Sequence, residues 1–239
     1  MADAIRPEQV LEALRGIQDP DLHKNIVELG FVKDLRVTGS DVAFSIELTT
    51  PACPVKGQME AQARALVGAL PGVRRVDVKM TAQVRSAGRG GEGTPLAGVR
   101  NLIAVASGKG GVGKSTVAAN LALALAHDGA RTGLLDADIY GPSIPIMFGT
   151  RQQPRFTDAQ IFPVDAHGIK LMSIGFLTGK EAPVIWRGPM VHKMVSEFLS
   201  TVAWGELDYL VVDLPPGTGD AQLTLTQSAP LSGAVIVTT

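Results

Sequence analysis

Ser107-Gly108-Lys109-Gly110-Gly111-Val112-Gly113-Lys114-Ser115-Thr116 lies between an apolar run, Asn101 to Ala106 (NLIAVA), and a helical pattern, Val117 to His127 (VAANLALALAH). A glycine-rich turn leading from a strand into a helix is the context of a phosphate-binding loop, and Gly-x-x-x-x-Gly-Lys-Ser is its spacing. Phosphate oxygens need donors and positive charge. This turn supplies backbone N–H groups, the positive end of a helix and a lysine together. Its glycines let the backbone approach closely because no β-carbon intervenes. Gly108, Lys109, Gly110, Gly111, Val112, Gly113, Lys114, Ser115 and Thr116 are therefore the candidate nucleotide-binding residues. Lys114 is placed to reach the β- and γ-phosphates, and the Ser115 hydroxyl to ligate Mg²⁺.

Outward from the loop, strand and helix patterns alternate from about Val99 onward. That order predicts an α/β domain with a mostly parallel sheet flanked by helices and ligands at the carboxyl ends of its strands. Arg131 to Leu135 (RTGLL) reads as a strand running into Asp136-Ala137-Asp138, whose carboxylates share a face on an extended backbone. Acids there are either caps and solvated loop charges or groups that handle a metal and water. Tyr209 to Val212 is a second apolar strand ending in an acid, Asp213, where a phosphate-loop enzyme holds its Mg²⁺ shell. It continues as Leu214-Pro215-Pro216-Gly217-Thr218-Gly219-Asp220, in which Gly217 is placed to offer its N–H to a γ-phosphate and act as a switch.

The second lysine, Lys109, is unusual for a generic phosphate loop. With it the sequence resembles the deviant-Walker ATPases, the group of MinD, ParA, the nitrogenase iron protein and the Mrp/ApbC iron-sulfur cluster carriers. The resemblance implies that Lys109 crosses a dimer interface to the partner's nucleotide, that Asp138 positions or activates the attacking water, and that Asp136 supports Mg²⁺ through its waters. Lys109, Lys114 and Asp138 are then the catalytic candidates, and Ser115, Asp136 and Asp213 the Mg²⁺ candidates. Ile139 to Pro145, Met172 to Leu177, Trp186 to Met190, Pro215 to Leu225 and Gly233 to Thr239 resemble the Mrp/ApbC branch. The nitrogenase branch is disfavoured, since the nucleotide-binding part contains no cysteine.

Residues 1–85 read as a small α+β domain of order α-β-β-α-β: helix at 7–16, hairpin strands at 31–37 and 42–48, helix at 54–70 and strand at 73–80. Asp19-Pro20-Asp21, Val27 to Val32 and Thr49-Thr50-Pro51-Ala52-Cys53-Pro54 resemble the iron-sulfur assembly domain related in shape to the C-terminal part of NifU. Cys53 has two readings, a small buried hydrophobe or a thiolate touching a metal or cluster. Residues 86–98 hold five glycines and read as a linker.

Net charge is −1, so no excess of basic residues points to nucleic acid. No apolar stretch of roughly 18 residues argues for a membrane span, and the amino-terminal residues lack a signal-peptide pattern. One cysteine in 239 residues permits no intrachain disulfide. The cytoplasm is the expected location. Four histidines, His23, His127, His167 and His192, lack metal-ligand spacing. The Mrp/ApbC resemblance implies a Cys-x-x-Cys pair beyond a strand that here ends at Thr239, so the chain reads as a truncated form ending just after a buried strand, with the ligands of a 4Fe-4S cluster outside it. The implied function is an ATP-binding, ATP-hydrolysing carrier that forms a homodimer through ATP and cluster and loads apo iron-sulfur proteins with assembly factors. One rival is a ParA/MinD-like positioning switch on DNA or membrane. Another is a nucleotide-binding scaffold without hydrolysis.

Overall fold

A computed structural model describes residues 5–20, 22–51, 53–84, 96, 98–139, 141–177, 188–217, 222, 225–226, 229 and 231–239, with the backbone alone at 188–192. Asp21, Ala52, Tyr140, Trp186, Arg187, Thr218 to Asp220 and most of the 86–98 stretch, all used in the sequence reading, lie outside the described residues. The chain divides into two compact units, Met1–Arg85 and Ser86–Thr239.

In the first unit, α1 (Pro7–Leu14) begins where Pro7 suits the first helical turn, and the Gln9 side chain accepts the Arg6 N–H at 3.0 Å. After it, the Asp19 carboxylate accepts the Leu22 N–H at 2.8 Å and closes a turn. Strands β1 (Val32–Thr38) and β2 (Asp41–Leu48) form an antiparallel hairpin across Gly39, at φ +62°, and Ser40. Helix α2 (Lys56–Gly68) then leads to β3 (Arg75–Ala82), parallel to β2, so the sheet order is β1-β2-β3. Val42, Phe44, Ile46 and Leu48 alternate along β2 and are buried with Met59, Ala63 and Val67, spaced by four along α2. Val10 and Leu14 of α1 complete that core.

The second unit follows the alternation read from sequence. Strand β4 (Leu102–Ala106), α3 (Lys114–His127), β5 (Thr132–Asp136) and α4 (Ile144–Met147) come first. A two-stranded ribbon follows, β6 (Arg155–Phe156) with β7 (Ile161–Phe162), and then β8 (Val164–Ala166), β9 (Ile169–Ser173), α5 (Gly188–Thr201), β10 (Tyr209–Asp213) and β11 (Gly233–Ile236). The main sheet has the order β11-β4-β10-β5-β9-β8, parallel throughout except for β8. Helix α3 covers one face, with Ala118, Ala119 and Ala122 against Val105, Leu134 and Val211, where small side chains permit a close approach. Val195, Phe198 and Leu199 of α5 cover the other, against Leu135, Met172 and Val212. Among the differences from the sequence reading, two concern this unit's elements. Helix α3 begins at Lys114 rather than Val117, because Gly113 at φ +87° takes the cap position. Strand β11, expected to be buried, is exposed along its length, with Ile236 66% exposed, because among the described residues it is a sheet edge paired with β4 alone.

Two tight places hold the strands in register. A Cβ on Gly133 of β5 would stand 2.8 Å from Leu207 Cδ1 and 3.1 Å from Trp204 Cε3. At the sheet end away from the phosphate loop, Asp208 accepts hydrogen bonds from Arg131 Nε (3.2 Å), Arg131 Nη2 (3.1 Å), the Arg131 N–H (2.9 Å) and Arg100 Nη1 (3.1 Å). Burial presses the Asp208 carboxyl upward, but the arginine bonds and charges outweigh it and hold it below the usual carboxylate range. Its stabilising contribution is therefore complete above the unfolded value of about 3.9 and is lost as pH falls through the lower folded value.

Gly133→Ala should lower the unfolding free energy by about 1–3 kcal/mol through overpacking, read as a lower denaturant midpoint. Asp208→Asn should cost about 1–3 kcal/mol at pH 7. The gap from the parent protein should shrink below about pH 4, and a gap that stays constant down to pH 2 would count against the ion-pair account.

Candidate functional site

Strands β4, β5 and β10 are neighbours, so the loops at their carboxyl ends converge. The phosphate loop leaves β4, turns through Gly111 at φ +78° and Gly113 at φ +87°, and enters α3 at Lys114. Those positive φ values need glycine. Inside the loop, the Ser107 hydroxyl donates to the Lys109 carbonyl at 3.0 Å. The Lys114 ammonium folds back to lie 2.6 Å from Asp213 Oδ1, 3.2 Å from Ser115 Oγ and 3.6 Å from Asp138 Oδ2. Lys114, Asp138 and Asp213 are all buried, Asp213 completely. An ammonium shared by two carboxylates leaves the cluster one positive charge short, which favours a cation.

Asp213 Oδ2 is buried and has no hydrogen-bond partner among the described residues. Burial pushes the Asp213 carboxyl up, with hydrogen bonds from Lys114 and Ser115 pulling against it. A hard carboxylate oxygen beside a serine hydroxyl suits Mg²⁺, which binds through one or two carboxylates and takes substrate phosphates and water for the rest. Among the described residues, no group of three or more His, Cys, Asp or Glu side chains is arranged to hold a metal ion by itself.

Asp136 occupies a different position from its neighbour Asp138. Its Oδ1 accepts the Asp138 N–H at 3.2 Å, and its Oδ2 accepts the Ser173 hydroxyl at 2.9 Å and the Ile144 N–H at 3.3 Å. Three protein donors leave about one lone pair of the carboxylate for a metal-bound water. Asp136 ties the end of β5 to the start of α4 and the end of β9. Its carboxyl is pushed up to about 7, by burial first and by the nearby Asp213 charge, against the Ser173 bond. Asp138 Oδ1 accepts the Gly141 N–H at 3.3 Å, and its other oxygen faces Lys114.

The remaining predicted residues are more loosely engaged. Lys109 is exposed, as are Gly108, Gly110, Gly111 and Thr116. The Gly217 N–H, at φ +100°, donates to the Ser107 carbonyl at 2.8 Å and so meets the phosphate loop through the protein itself. Cys53 belongs to the first unit, half-buried against its core. Sequence reasoning missed Ser173 and Gln222. Ser173 was legible only indirectly, as a hydroxyl on the strand beside a buried acid that needs donors. The Gln222 amide donates to the carbonyls of Pro215 (2.8 Å) and Gly217 (2.9 Å), a contact across a loop that no spacing announces.

Residues 98–239 match the family model described as the NUBPL iron-transfer P-loop NTPase, and residues 7–79 that described as iron-sulfur cluster assembly protein. The chain is 51% identical over 237 residues to an iron-sulfur cluster carrier protein of Synechocystis sp., a match covering 97% of this chain and 67% of that one. It is 51% identical over 239 residues to the chloroplastic Fe-S cluster assembly factor HCF101 of Arabidopsis thaliana, covering 97% of this chain and 44% of that one. The solved nucleotide-binding protein of Archaeoglobus fulgidus, in complex with ADP, is 51% identical, with a TM-score of 0.53 and coverage of 61% of this chain and 56% of that one. The chain thus spans about two thirds of the cyanobacterial relative and less than half of the plant one. Among the described residues no helix is long and apolar enough to cross a membrane. Since the family match runs unbroken through the phosphate loop and all three acids, the chain belongs to the iron-transfer P-loop NTPases and carries an iron-sulfur cluster assembly domain ahead of the nucleotide site.

Proposed function

We propose that this chain binds and hydrolyses ATP as part of an iron-sulfur cluster carrier that loads apoproteins in the cytoplasm. The observation that carries the reading is the buried Lys114, Asp138 and Asp213 cluster under the phosphate loop, with one Asp213 oxygen left without a partner among the described residues. The loop amides and the start of α3 receive the phosphates, and Lys114 turns from Asp213 to their oxygens. Ser115 Oγ and Asp213 Oδ2 are the atoms that would hold Mg²⁺, which when bound would supply neutralisation of phosphate charge. Asp138 orients the attacking water, and Asp136 keeps Asp138 in place through the Asp138 N–H. Lys109, exposed and at the rim, reaches the nucleotide of a second copy, so the active form is a homodimer around ATP. The names of the relatives support the cargo. Cys53 is the chain's one thiol, too few by itself for a four-thiolate cluster.

Lys114→Ala should lower kcat/KM for ATP at least about 100-fold, since a preorganised charge is removed from the transition state. Asp138→Asn should lower kcat about 100- to 10,000-fold while ADP affinity stays within about threefold. Phosphate release and calorimetric titration read both, and an Asp138→Asn protein with unchanged kcat removes the water-handling role. The carrier step is tested by anaerobic loading of the full-length protein with iron and sulfide, followed by mixing with an apo acceptor. Appearance of the cluster's visible absorbance on the acceptor, faster with ATP, supports the reading, and its absence overturns it.

A further inference from the structure

The loop after β10 is held on both sides of one residue, Gly217. The Gly217 N–H donates to Ser107, at the start of the phosphate loop, and the Gly217 carbonyl accepts from Gln222 Nε2 at 2.9 Å. The same nitrogen donates to the Pro215 carbonyl at 2.8 Å. Two carbonyl acceptors can be served only by an NH₂ group, which fixes the amide's orientation. The Gln222 Oε1 is left buried with no partner among the described residues. A glutamine that bridges two carbonyls and leaves its own oxygen unmatched holds a loop shape that the backbone alone does not hold. The loop lies close to the phosphates' expected seat, because Pro216 Cγ is 4.0 Å from where a Cβ on Gly110 would stand.

We propose that Gln222 is the positioning residue that sets the site's preference for a nucleoside triphosphate over a diphosphate. By clamping Pro215 and Gly217 it keeps the Gly217 N–H at the lip of the phosphate loop. Without a terminal phosphate this N–H rests on the Ser107 carbonyl, and a γ-phosphate, an anionic acceptor, takes its place. A diphosphate ends short of this N–H and is indifferent to the clamp. The proposal rests on the reading of the site as a nucleotide site, and it concerns how that site tells its substrate from its product.

The test compares the parent protein with Gln222→Leu, which removes the donor, and Gln222→Glu, which keeps the length but presents an acceptor to two carbonyls. Calorimetric titration with ADP and with a non-hydrolysable ATP analogue is paired with amide hydrogen exchange of residues 213–217 in nucleotide-free protein. Both variants should bind ADP within about twofold of the parent and lose about tenfold in affinity for the triphosphate analogue. Gly217 exchange should rise about tenfold or more without nucleotide. Parallel loss of both nucleotides would mean a merely structural role and overturn the proposal, as would unchanged Gly217 exchange. If the parent protein binds neither nucleotide, the nucleotide reading fails. The exchange measurement then still decides the clamp.

Discussion

The Lys114 ammonium lies 2.6 Å from the Asp213 carboxylate, at a place where the lysine side chain is 6% exposed and the aspartate not at all. Charges so deep in a sheet are tolerable only when paired, and removing one partner would leave the other without solvent or counter-charge. The arrangement of the second unit follows from that demand. Lys114 is placed by the glycine turn that follows β4, Asp213 by the last residue of β10, and parallel pairing brings both to the carboxyl end of the sheet. Had β10 paired elsewhere, the lysine would have no buried acid to meet.

Asp136 is pushed up to about 7 and Asp213 upward as well, both chiefly by burial, and a carboxyl held above its ordinary value is one whose ionised form gains from an arriving cation. The three acids nevertheless differ in their freedom. Asp136 is tied by three protein donors, Asp213 has one oxygen without a partner among the described residues, and Asp138 divides its oxygens between a backbone N–H and Lys114. One acid therefore organises the loops, while two remain available to ligands.

The phosphate loop and the loop after β10 are joined through Ser107 and Gly217, and the latter is held in turn by Gln222. The phosphate loop is thus connected to the segment beyond Asp213 by hydrogen bonds. The first unit stands apart in its chemistry. Its core is built from α1, α2 and the three-stranded sheet, with Cys53 half-buried against it.

Much of this was legible before any coordinates. The spacing from Gly108 to Ser115 dictated a phosphate loop, because only glycines tolerate those φ values and only a lysine with a hydroxyl neighbour serves phosphates and a hard cation. Alternation along β2 and the four-residue spacing in α2 dictated the small sheet with helices on one face, since a buried face must be apolar at the period of its element. Alternation of strand and helix patterns pointed to a parallel sheet, and the apolar strands ending in Asp136 and Asp213 to acids at its carboxyl end. Tertiary structure alone decided which acid meets Lys114, that Ser173 and the Ile144 N–H hold Asp136, that β11 is an exposed edge, and that Gln222 grips the loop after β10. These are contacts between residues distant in sequence or across a turn. Local propensity and periodicity describe each element's own faces, whereas strand order and loop closure choose which faces meet.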